Sequence, residues 1–308
     1  MIHESHSFRD VLKFIKHDSW LLLDLDNTVM ESRAELGSDQ WFVNLMCLAS
    51  QRPLDSKEAC EWVIDIYHAV QHFVRAALVE EDIQWILQSL RDIGIPILAI
   101  TARDHCLLKP TLRQLDEAGI SFSGVGSECF DGSIYLADEK PFVYDHGIIF
   151  CSGGDKGKCL QAFLEECELH PKHIVMMDDK QKHLEKVETV SKIKKIQFDF
   201  DGIRYGYLDE KVKSIDMQKA HEQLAAIKYL LPTEVKEAVD QLLELPEEKY
   251  SIDEEAFFIS ENQEAKMTVM HLAHIHAECT FFRCQNPRIP FKLEAILPND
   301  NSQTRLDH

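Results

Sequence analysis

Two aspartates stand at the end of an apolar run near the amino terminus. The stretch LLLDLDNT places Asp24 and Asp26 two positions apart, directly after three leucines. Side chains of a strand alternate between its faces, so residues two apart share a face until the chain turns. In an open parallel sheet, ligands bind outside the carboxyl ends of the strands. The pair is therefore expected at a binding site, although on its own it also fits a solvated strand end.

Three further apolar runs end in residues that suit phosphoryl chemistry. ILAIT ends in Thr101, HIVMMDD ends in Asp178 and Asp179, and GIIFCSGG leads through a glycine-rich loop to Lys156. Clustered carboxylates repel one another unless a hard cation lies among them, and Mg²⁺ accepts one or two carboxylates while it keeps several waters. Lysine and threonine supply donors for phosphoryl oxygens. The combined set predicts a magnesium-containing phosphate site.

Helices must alternate with these short apolar runs to bring their ends together. Apolar strands separated by amphipathic helices indicate βαβ units, in which a parallel sheet is covered on both faces. From about residue 31 to 80 the pattern is helical, which predicts an all-helical insertion. We predict an α/β fold, with a Rossmann-like core over residues 1–215 and an all-helical C-terminal domain over 216–308, including a long helix from about 261 to 282.

Composition narrows the class of protein. The chain has 308 residues and a net charge of −20, which argues against sequence-independent nucleic-acid binding, because that needs basic groups to displace counterions. It contains no run near the ~18 apolar residues of a transmembrane helix and no signal-peptide pattern at its start. Nine cysteines without a CxxC pair indicate reduced thiols. We expect a soluble protein in a reducing cytosol.

The order of the motifs resembles the haloacid dehalogenase (HAD) superfamily. DLDNT, IT, DKGK and MMDD follow one another as the four motifs of that superfamily do, and the resemblance covers roughly residues 8 to 210. Response-regulator receiver domains use a similar set of acid, threonine and lysine, but in them the acid pair comes first and the lysine comes last. In this chain a second acid pair, Asp178 and Asp179, follows the lysine, so the order excludes a receiver domain. The resemblance implies a HAD core, a small helical cap inserted after the first motif, and a Mg²⁺ cofactor.

The resemblance also implies a role for each acidic residue. Asp24 would be the nucleophile that forms an aspartyl phosphate, and Asp26 the general acid that then serves as base. Mg²⁺ would be held by Asp24, the backbone carbonyl of Asp26, and Asp178. Asp179 would support these ligands or make an auxiliary metal contact.

The remaining motif residues would bind the phosphoryl group. The resemblance implies that Thr101 and the backbone amide of Ala102 bond phosphoryl oxygens, and that Lys156 pairs with both Asp24 and the phosphoryl group. Lys158 is the alternative motif lysine. Lys156 is favoured because it directly precedes a glycine.

A cap over such a site excludes water and selects the substrate. We expect Met30, Glu31 and Ser32, which leave the first motif, to wall the pocket together with the segment LGSDQWF. Trp41 and Phe42 in that segment could stack on an aromatic leaving group. The alternative is that both pack the core of the cap itself.

The amino-acid sequence in and around the motifs is similar to that of one branch of the superfamily, namely bacterial effector phosphotyrosine phosphatases with a helical C-terminal domain. LGSDQW, ITAR with TLRQLDEAGI, and MMDDKQKHLEKVE carry this likeness. It implies a phosphotyrosyl protein as substrate, association with phosphoinositide membranes through the C-terminal domain, and delivery to a host cytosol. Three alternatives remain: a small-metabolite phosphatase, a phosphotransferase, and a catalytically silent HAD scaffold that docks on membranes or proteins.

The segment HCLLKPTLR invites comparison with the cysteine-based phosphatase loop HCx₅R. That loop requires arginine at position 112, where this chain has Leu112, and Arg113 comes one residue too late. The segment also lacks the glycines that let backbone amides surround a phosphate. We therefore expect Cys106 to be an ordinary cysteine.

Overall fold

Strands and helices alternate along most of the chain in the computed structural model, which describes residues 1–50, 56–122, 131–137 and 140–243. The strands are β1 (Ile2–Ser5), β2 (Ser19–Leu23), β3 (Met30–Ser32), β4 (Ala76–Leu78), β5 (Ile97–Thr101), β6 (Ser133–Ala137), β7 (Lys140–Asp145), β8 (Ile148–Phe150), β9 (His173–Asp178) and β10 (Asp199–Tyr205). The α-helices are α1 (Asp39–Ser50), α2 (Ser56–Gln71), α3 (Ile83–Asp92), α4 (Leu108–Glu117), α5 (Lys156–Glu166), α6 (Gln181–Val190), α7 (Asp209–Lys213), α8 (Met217–Ile227) and α9 (Thr233–Leu243).

Eight strands form one mixed sheet in the order β1-β10-β9-β2-β5-β8-β7-β6. The six strands from β1 to β8 in this order pair in parallel, and β7 and β6 add an antiparallel hairpin at one edge. The molecule therefore has a Rossmann-like α/β fold with a mainly parallel central sheet, as the sequence predicts. The carboxyl ends of β2, β5 and β9, which carry the candidate residues, lie side by side in the middle of this sheet.

The central strands are buried on both faces. Leu21 and Leu23 of β2 pack into the hydrophobic core on one side of the sheet, and Leu22 packs into the core on the other side. Because neither face meets water, the strand reads as a continuous apolar run rather than an alternating one. The apolar run ends where the strand leaves these two cores. The first carboxylate after it, that of Asp24, therefore lies at the carboxyl end of β2.

The inserted helices share a third core with the first helices of the C-terminal region. Trp41 and Leu45 of α1 and Val63 of α2 pack in one cluster with Leu224 of α8 and Val239 of α9. Each of these helices buries an apolar stripe that it could not cover alone. The described part of the C-terminal region therefore packs on the insertion.

Several details differ from the predictions. The insertion is not helical throughout, because β3 and β4 pair at its base as a small antiparallel sheet. The two strands of the β6–β7 hairpin were not predicted. The predicted strand KIQFDF covers residues 195–200, whereas the observed strand β10 begins only at Asp199. The predicted long helix at 261–282 lies outside the described residues.

The state of the cysteines also differs in part from the expectation. Cys47, Cys106, Cys151 and Cys159 are free thiols, but Cys167 is disulfide-bonded, so the expectation that every cysteine is reduced is wrong there. Within the described residues, every helix is too short or too polar to cross a bilayer.

Candidate active site

The predicted strand ends converge on one lysine. Nζ of Lys156 lies 2.7 Å from Oδ1 of Asp24 and 2.8 Å from Oδ2 of Asp178. The three side chains are almost fully buried, at 1%, 8% and 0% relative exposure. Asp24 follows β2, and its backbone N–H donates to the carbonyl of Met177 in the neighbouring β9 at 3.0 Å. Sheet pairing therefore sets the two carboxylates beside each other.

The loop before α5 carries Lys156 into the site. The Asp155 side chain caps that helix by accepting from the N–H groups of Gly157 and Lys158. Gly157 packs closely against the backbone of α6, where a Cβ would lie 2.5 Å from the carbonyl oxygen of Lys186. Lys158, the alternative motif lysine, is exposed on the helix surface. The structure places Lys156 rather than Lys158 between the carboxylates.

The charged groups of Lys156, Asp24 and Asp178 act strongly on one another's pKa values. Burial raises the pKa of Asp24 well above its usual range, and the ammonium of Lys156 opposes that shift. Burial also disfavours the charge of Asp178, but Lys156 and His183 outweigh it and hold the Asp178 pKa below its usual range. For Lys156, the two carboxylates outweigh burial and raise the pKa. One lysine can neutralise only one of the two carboxylates, so a further positive charge at this point would favour the ionised form of Asp24.

Asp26 has a partner that sequence reasoning did not find. Both oxygens of its carboxylate accept from the guanidinium of Arg103, at 2.8 Å from Nε and 2.7 Å from Nη2. Arg103 also donates to Thr111 at 3.0 Å and to Gln114 at 2.7 Å, both in α4. The arginine of the ITAR stretch is thus a buried anchor for the first-motif loop.

The predicted phosphate-binding residues lie next to this pair. The hydroxyl oxygen of Thr101, at the end of β5, accepts from the backbone N–H of Arg103 at 3.1 Å and is buried. Ala102 is exposed, and its carbonyl accepts from Gly153 in the loop before α5. The hydroxyl and the loop amides therefore lie at the same edge of the sheet as Asp24.

Asp179 and Lys180 link the end of β9 to the first-motif loop and to the insertion. The N–H of Asp179 donates to the Thr28 hydroxyl at 3.2 Å, and Asn27 donates to the Asp179 carboxylate at 3.3 Å. Burial raises the pKa of Asp179 to about 7, with Lys180 opposing and Asp178 reinforcing the shift. Lys180 pairs with Asp39, at the start of α1, over 2.6 Å.

Some of the side chains predicted to wall the pocket lie near the site, and others are buried in the hydrophobic cores of the protein. Met30 is buried in β3, Glu31 pairs with Lys211 of α7, and Ser32 donates to the Leu36 carbonyl. Trp41 is fully buried and stacks on Tyr67 of α2, with ring centroids 6.4 Å apart. This placement favours the alternative in which Trp41 packs the helical core.

The donors around Asp24 suit a cation. Asp24, Asp178 and His183 each offer one ligand atom, and these atoms lie within 4.8 Å of one another. Lys156 bonds one oxygen of each carboxylate, which leaves the second oxygen of Asp24 for an ion. Oxygen donors with excess negative charge fit a divalent cation. His183 was not predicted, and burial lowers its pKa to about 4.

A family model described as "Protein of unknown function (DUF2608)" matches residues 4–237. This chain belongs to the DUF2608 family. Proteins named "Putative outer membrane protein" are similar to this DUF2608 chain over part of its length. One from Chlamydia pneumoniae is 24% identical over 59% of this chain and 68% of its own length. One from Chlamydia muridarum is 25% identical over 64% and 72%, and one from Chlamydia trachomatis 23% over 64% and 72%.

The range matched by the DUF2608 family model contains every candidate residue, from Asp24 to His183, and ends within α9. It therefore includes the α/β core, the inserted helices and α8, which pack together around the site. The resemblance implies membrane association for the C-terminal domain over 216–308, and the part of that domain beyond residue 243 falls outside both the matched range and the described residues.

Proposed function

We propose that this DUF2608 chain is a HAD-type phosphomonoesterase that works through an aspartyl phosphate on Asp24. The observation that supports this most is the position of Lys156, whose ammonium bridges Asp24 and Asp178 over 2.7 and 2.8 Å at the carboxyl edge of a parallel sheet. A scaffold without chemistry has no use for two buried carboxylates beside each other. A phosphatase needs them together with a nearby cation to accept a phosphate.

A divalent cation, for which the resemblance predicts Mg²⁺, would be held by Asp24 and Asp178. When bound, it would neutralise the charge that otherwise repels a carboxylate nucleophile from a phosphate dianion. Lys156 lies within hydrogen-bonding distance of Asp24 and would orient it toward phosphorus. The Thr101 hydroxyl and the backbone amide of Ala102 would hold the phosphoryl oxygens.

The reaction then has two balanced displacements. In the first, an Asp24 oxygen bonds phosphorus, the bond from phosphorus to the leaving oxygen breaks, and Asp26 gives its proton to that oxygen. In the second, Asp26 takes a proton from water, the water oxygen bonds phosphorus, and the Asp24–phosphorus bond breaks to release inorganic phosphate. Because Arg103 occupies both oxygens of the Asp26 carboxylate, the aspartate must rotate away from it and take up a proton from water before the first displacement.

The inserted helices would act as the substrate-selecting cap. Asp39 at the start of α1 contacts Lys180, which precedes α6 and follows the site residue Asp178 by two positions, so the insertion lies directly on the site. Tyr67 of α2 contacts Phe42 of α1 with ring centroids 4.7 Å apart, which gives this unit an aromatic cluster near the site. Such a cluster would suit the ring of a phosphotyrosyl side chain, the substrate class that the resemblance predicts.

A small phosphorylated metabolite is the second candidate substrate. Asp24 is almost fully buried. The cavity lined by Asn27 of the first-motif loop, Glu31 and Lys211 measures about 20 Å³, which accommodates roughly one water molecule. A protein-borne phosphotyrosine would need the helical unit to move further than a small ester would. Association with a phosphoinositide membrane and delivery to a host cytosol stay predictions of the resemblance.

A substrate screen tests the proposal. The full chain is assayed with and without divalent cations on phosphotyrosyl peptides, phosphoseryl peptides, sugar phosphates and nucleotides, beside the Asp24→Asn variant. Cation-dependent release of phosphate that the variant lacks supports the proposal, and the preferred ester separates the two substrate classes. Addition of an acceptor alcohol distinguishes hydrolysis from phosphoryl transfer. Absence of turnover on every substrate, or turnover that Asp24→Asn retains, would contradict the proposal.

A further inference from the structure

A histidine faces the carboxylate that ends β9. Nδ1 of His183, in the first turn of α6, lies 3.1 Å from Oδ1 and 3.2 Å from Oδ2 of Asp178. Its side chain is 13% exposed, and the carboxylate that it faces is fully buried. A single hydrogen bond is normally directed at one oxygen, whereas this ring nitrogen is nearly equidistant from both.

The spacing also fits two neighbouring ligands of one ion. A cation bound at about 2.1 Å by two atoms at a right angle holds those atoms about 3.0 Å apart. The Asp178 carboxylate and His183 Nδ1 have nearly this separation. Asp24 completes the set, because its ligand atom lies within 4.8 Å of the other two. Three different elements thus direct one donor each toward a common point.

The surrounding charges favour a nitrogen donor over a further acid. Lys156 already neutralises one of the two negative charges of Asp24 and Asp178, and Lys180 is paired with Asp39. A neutral imidazole adds a ligand without adding charge. Mg²⁺ is bound through oxygen atoms, whereas imidazole suits iron, cobalt, nickel and zinc.

We propose that His183 is a nitrogen ligand of the cation that Asp24 and Asp178 hold, so that the site prefers a transition ion such as Fe²⁺ or Co²⁺ to Mg²⁺. This inference depends on the proposed function only in using the same two carboxylates. It proposes a different class of ion from the Mg²⁺ that the resemblance predicts.

Metal binding to the metal-free full chain tests the assignment without any assay of turnover. Calorimetric titrations with Co²⁺ and with Mg²⁺ give the ratio of the two affinities. Electron spin echo spectra of the Mn²⁺-loaded protein report whether a nitrogen nucleus is bonded to the ion. The variants are His183→Asp, which replaces nitrogen with oxygen, and His183→Gln, which adds no charge and serves if the first variant does not fold. His170→Asp is the matched control, because His170 is an exposed loop residue.

The wild type is expected to bind Co²⁺ more tightly than Mg²⁺ and to show nitrogen modulation. In the His183 variants, the modulation disappears and the Co²⁺ preference falls by about 10- to 100-fold. The His170 control keeps both properties. Metal binding without nitrogen modulation, an unchanged preference in the His183 variants, or no metal binding would each overturn the assignment. An Asp24→Asn variant that retains turnover would instead remove the proposed mechanism and leave the ion site standing.

Discussion

Arg103 holds both carboxylate oxygens of Asp26, over 2.7 and 2.8 Å, while its own side chain is almost buried. Its fork-shaped contact is among the strongest that a carboxylate makes. The aspartate side chain is 26% exposed and the arginine 5%, so Asp26 is the partner with room to move. The pair therefore holds the proposed acid–base residue as a carboxylate two residues from Asp24, and its release from Arg103 with uptake of a proton would be a step of the proposed reaction.

Removal of this arginine should cost more stability than removal of an exposed one. Arg103→Met leaves Asp26 without its partner and removes the bonds to Thr111 and Gln114. A buried pair broken on one side typically loses about 3–5 kcal/mol. Arg9→Met, which breaks an exposed pair with Asp82, should lose less than about 1 kcal/mol. Urea unfolding measures the loss of stability in both variants. Equal losses would show that the bidentate contact between Arg103 and Asp26 does not stabilise the fold more than an exposed pair does.

Lys156 and Lys158 should differ sharply in their effect on turnover. Lys156→Met removes the ammonium that joins Asp24 to Asp178, so the rate of ester hydrolysis should fall by about 10²- to 10³-fold, as for other preorganised donors. Lys158→Met changes an exposed residue two positions away and should leave the rate within about twofold. Steady-state kinetics on the best substrate of the screen compare the two. A larger loss for Lys158→Met would mean that the motif lysine is misassigned.

The buried carboxyl of Asp179 should make the metal-free protein less stable as the pH rises. Burial raises its pKa to about 7, so the folded chain keeps a proton that the unfolded chain releases near pH 4. The resulting stabilisation is present at low pH and is lost as the pH rises through 7.

Asp179→Asn removes this dependence. Between pH 5 and pH 8, its free energy of unfolding should therefore rise by about 1–3 kcal/mol relative to the wild type. Unfolding is measured by urea with a chelator present, because a bound cation favours the ionised carboxylate. Parallel pH profiles for the two proteins would rule out a protonated Asp179.

Cys106 should be dispensable. Burial and the neighbouring Asp104 carboxylate raise the pKa of its thiol, which keeps it protonated and weakly nucleophilic. Its sulfur lies 3.3 Å from Nδ1 of His68 and is not part of the Asp24 site. Cys106→Ser should retain nearly full turnover, whereas a loss of 100-fold or more would revive the cysteine-based mechanism.

The sequence predicted the parts of the site that depend on strand ends. Asp24, Thr101 and Asp178 follow apolar runs that become neighbouring buried strands, so their convergence follows from parallel pairing alone. Lys156 was favoured over Lys158 because it directly precedes a glycine, as the motif lysine does in the family it resembles; the structure shows that this glycine also allows α5 to approach α6. These are local patterns with a single structural outcome.

The missed contacts depend on how helices lie over the sheet. Arg103 meets Asp26 only because α4 supplies Thr111 and Gln114 to hold its guanidinium, and no spacing in the chain encodes that orientation. His183 left a weak signal, a histidine five residues after Asp178 at a helix start. It becomes recognisable only once α6 is known to turn back on the carboxylate.

The packing of the C-terminal helices shows the same limit. Their apolar stripes were readable, since Leu224 and Leu231 recur at helical spacing and are buried. The surface on which those stripes pack could not be predicted from the sequence, because an apolar stripe fits many surfaces. The structure shows that α8 and α9 use theirs to cover the inserted helices.

The central claim is that phosphorus passes to Asp24. The most direct measurement mixes the metal-loaded full chain with a ³²P-labelled substrate, quenches in acid, and counts label bound to protein. An acyl phosphate predicts label that hydroxylamine releases in the wild type and that is absent from Asp24→Asn. Equal labelling of the two proteins, or turnover in the wild type without any labelled protein, would contradict it.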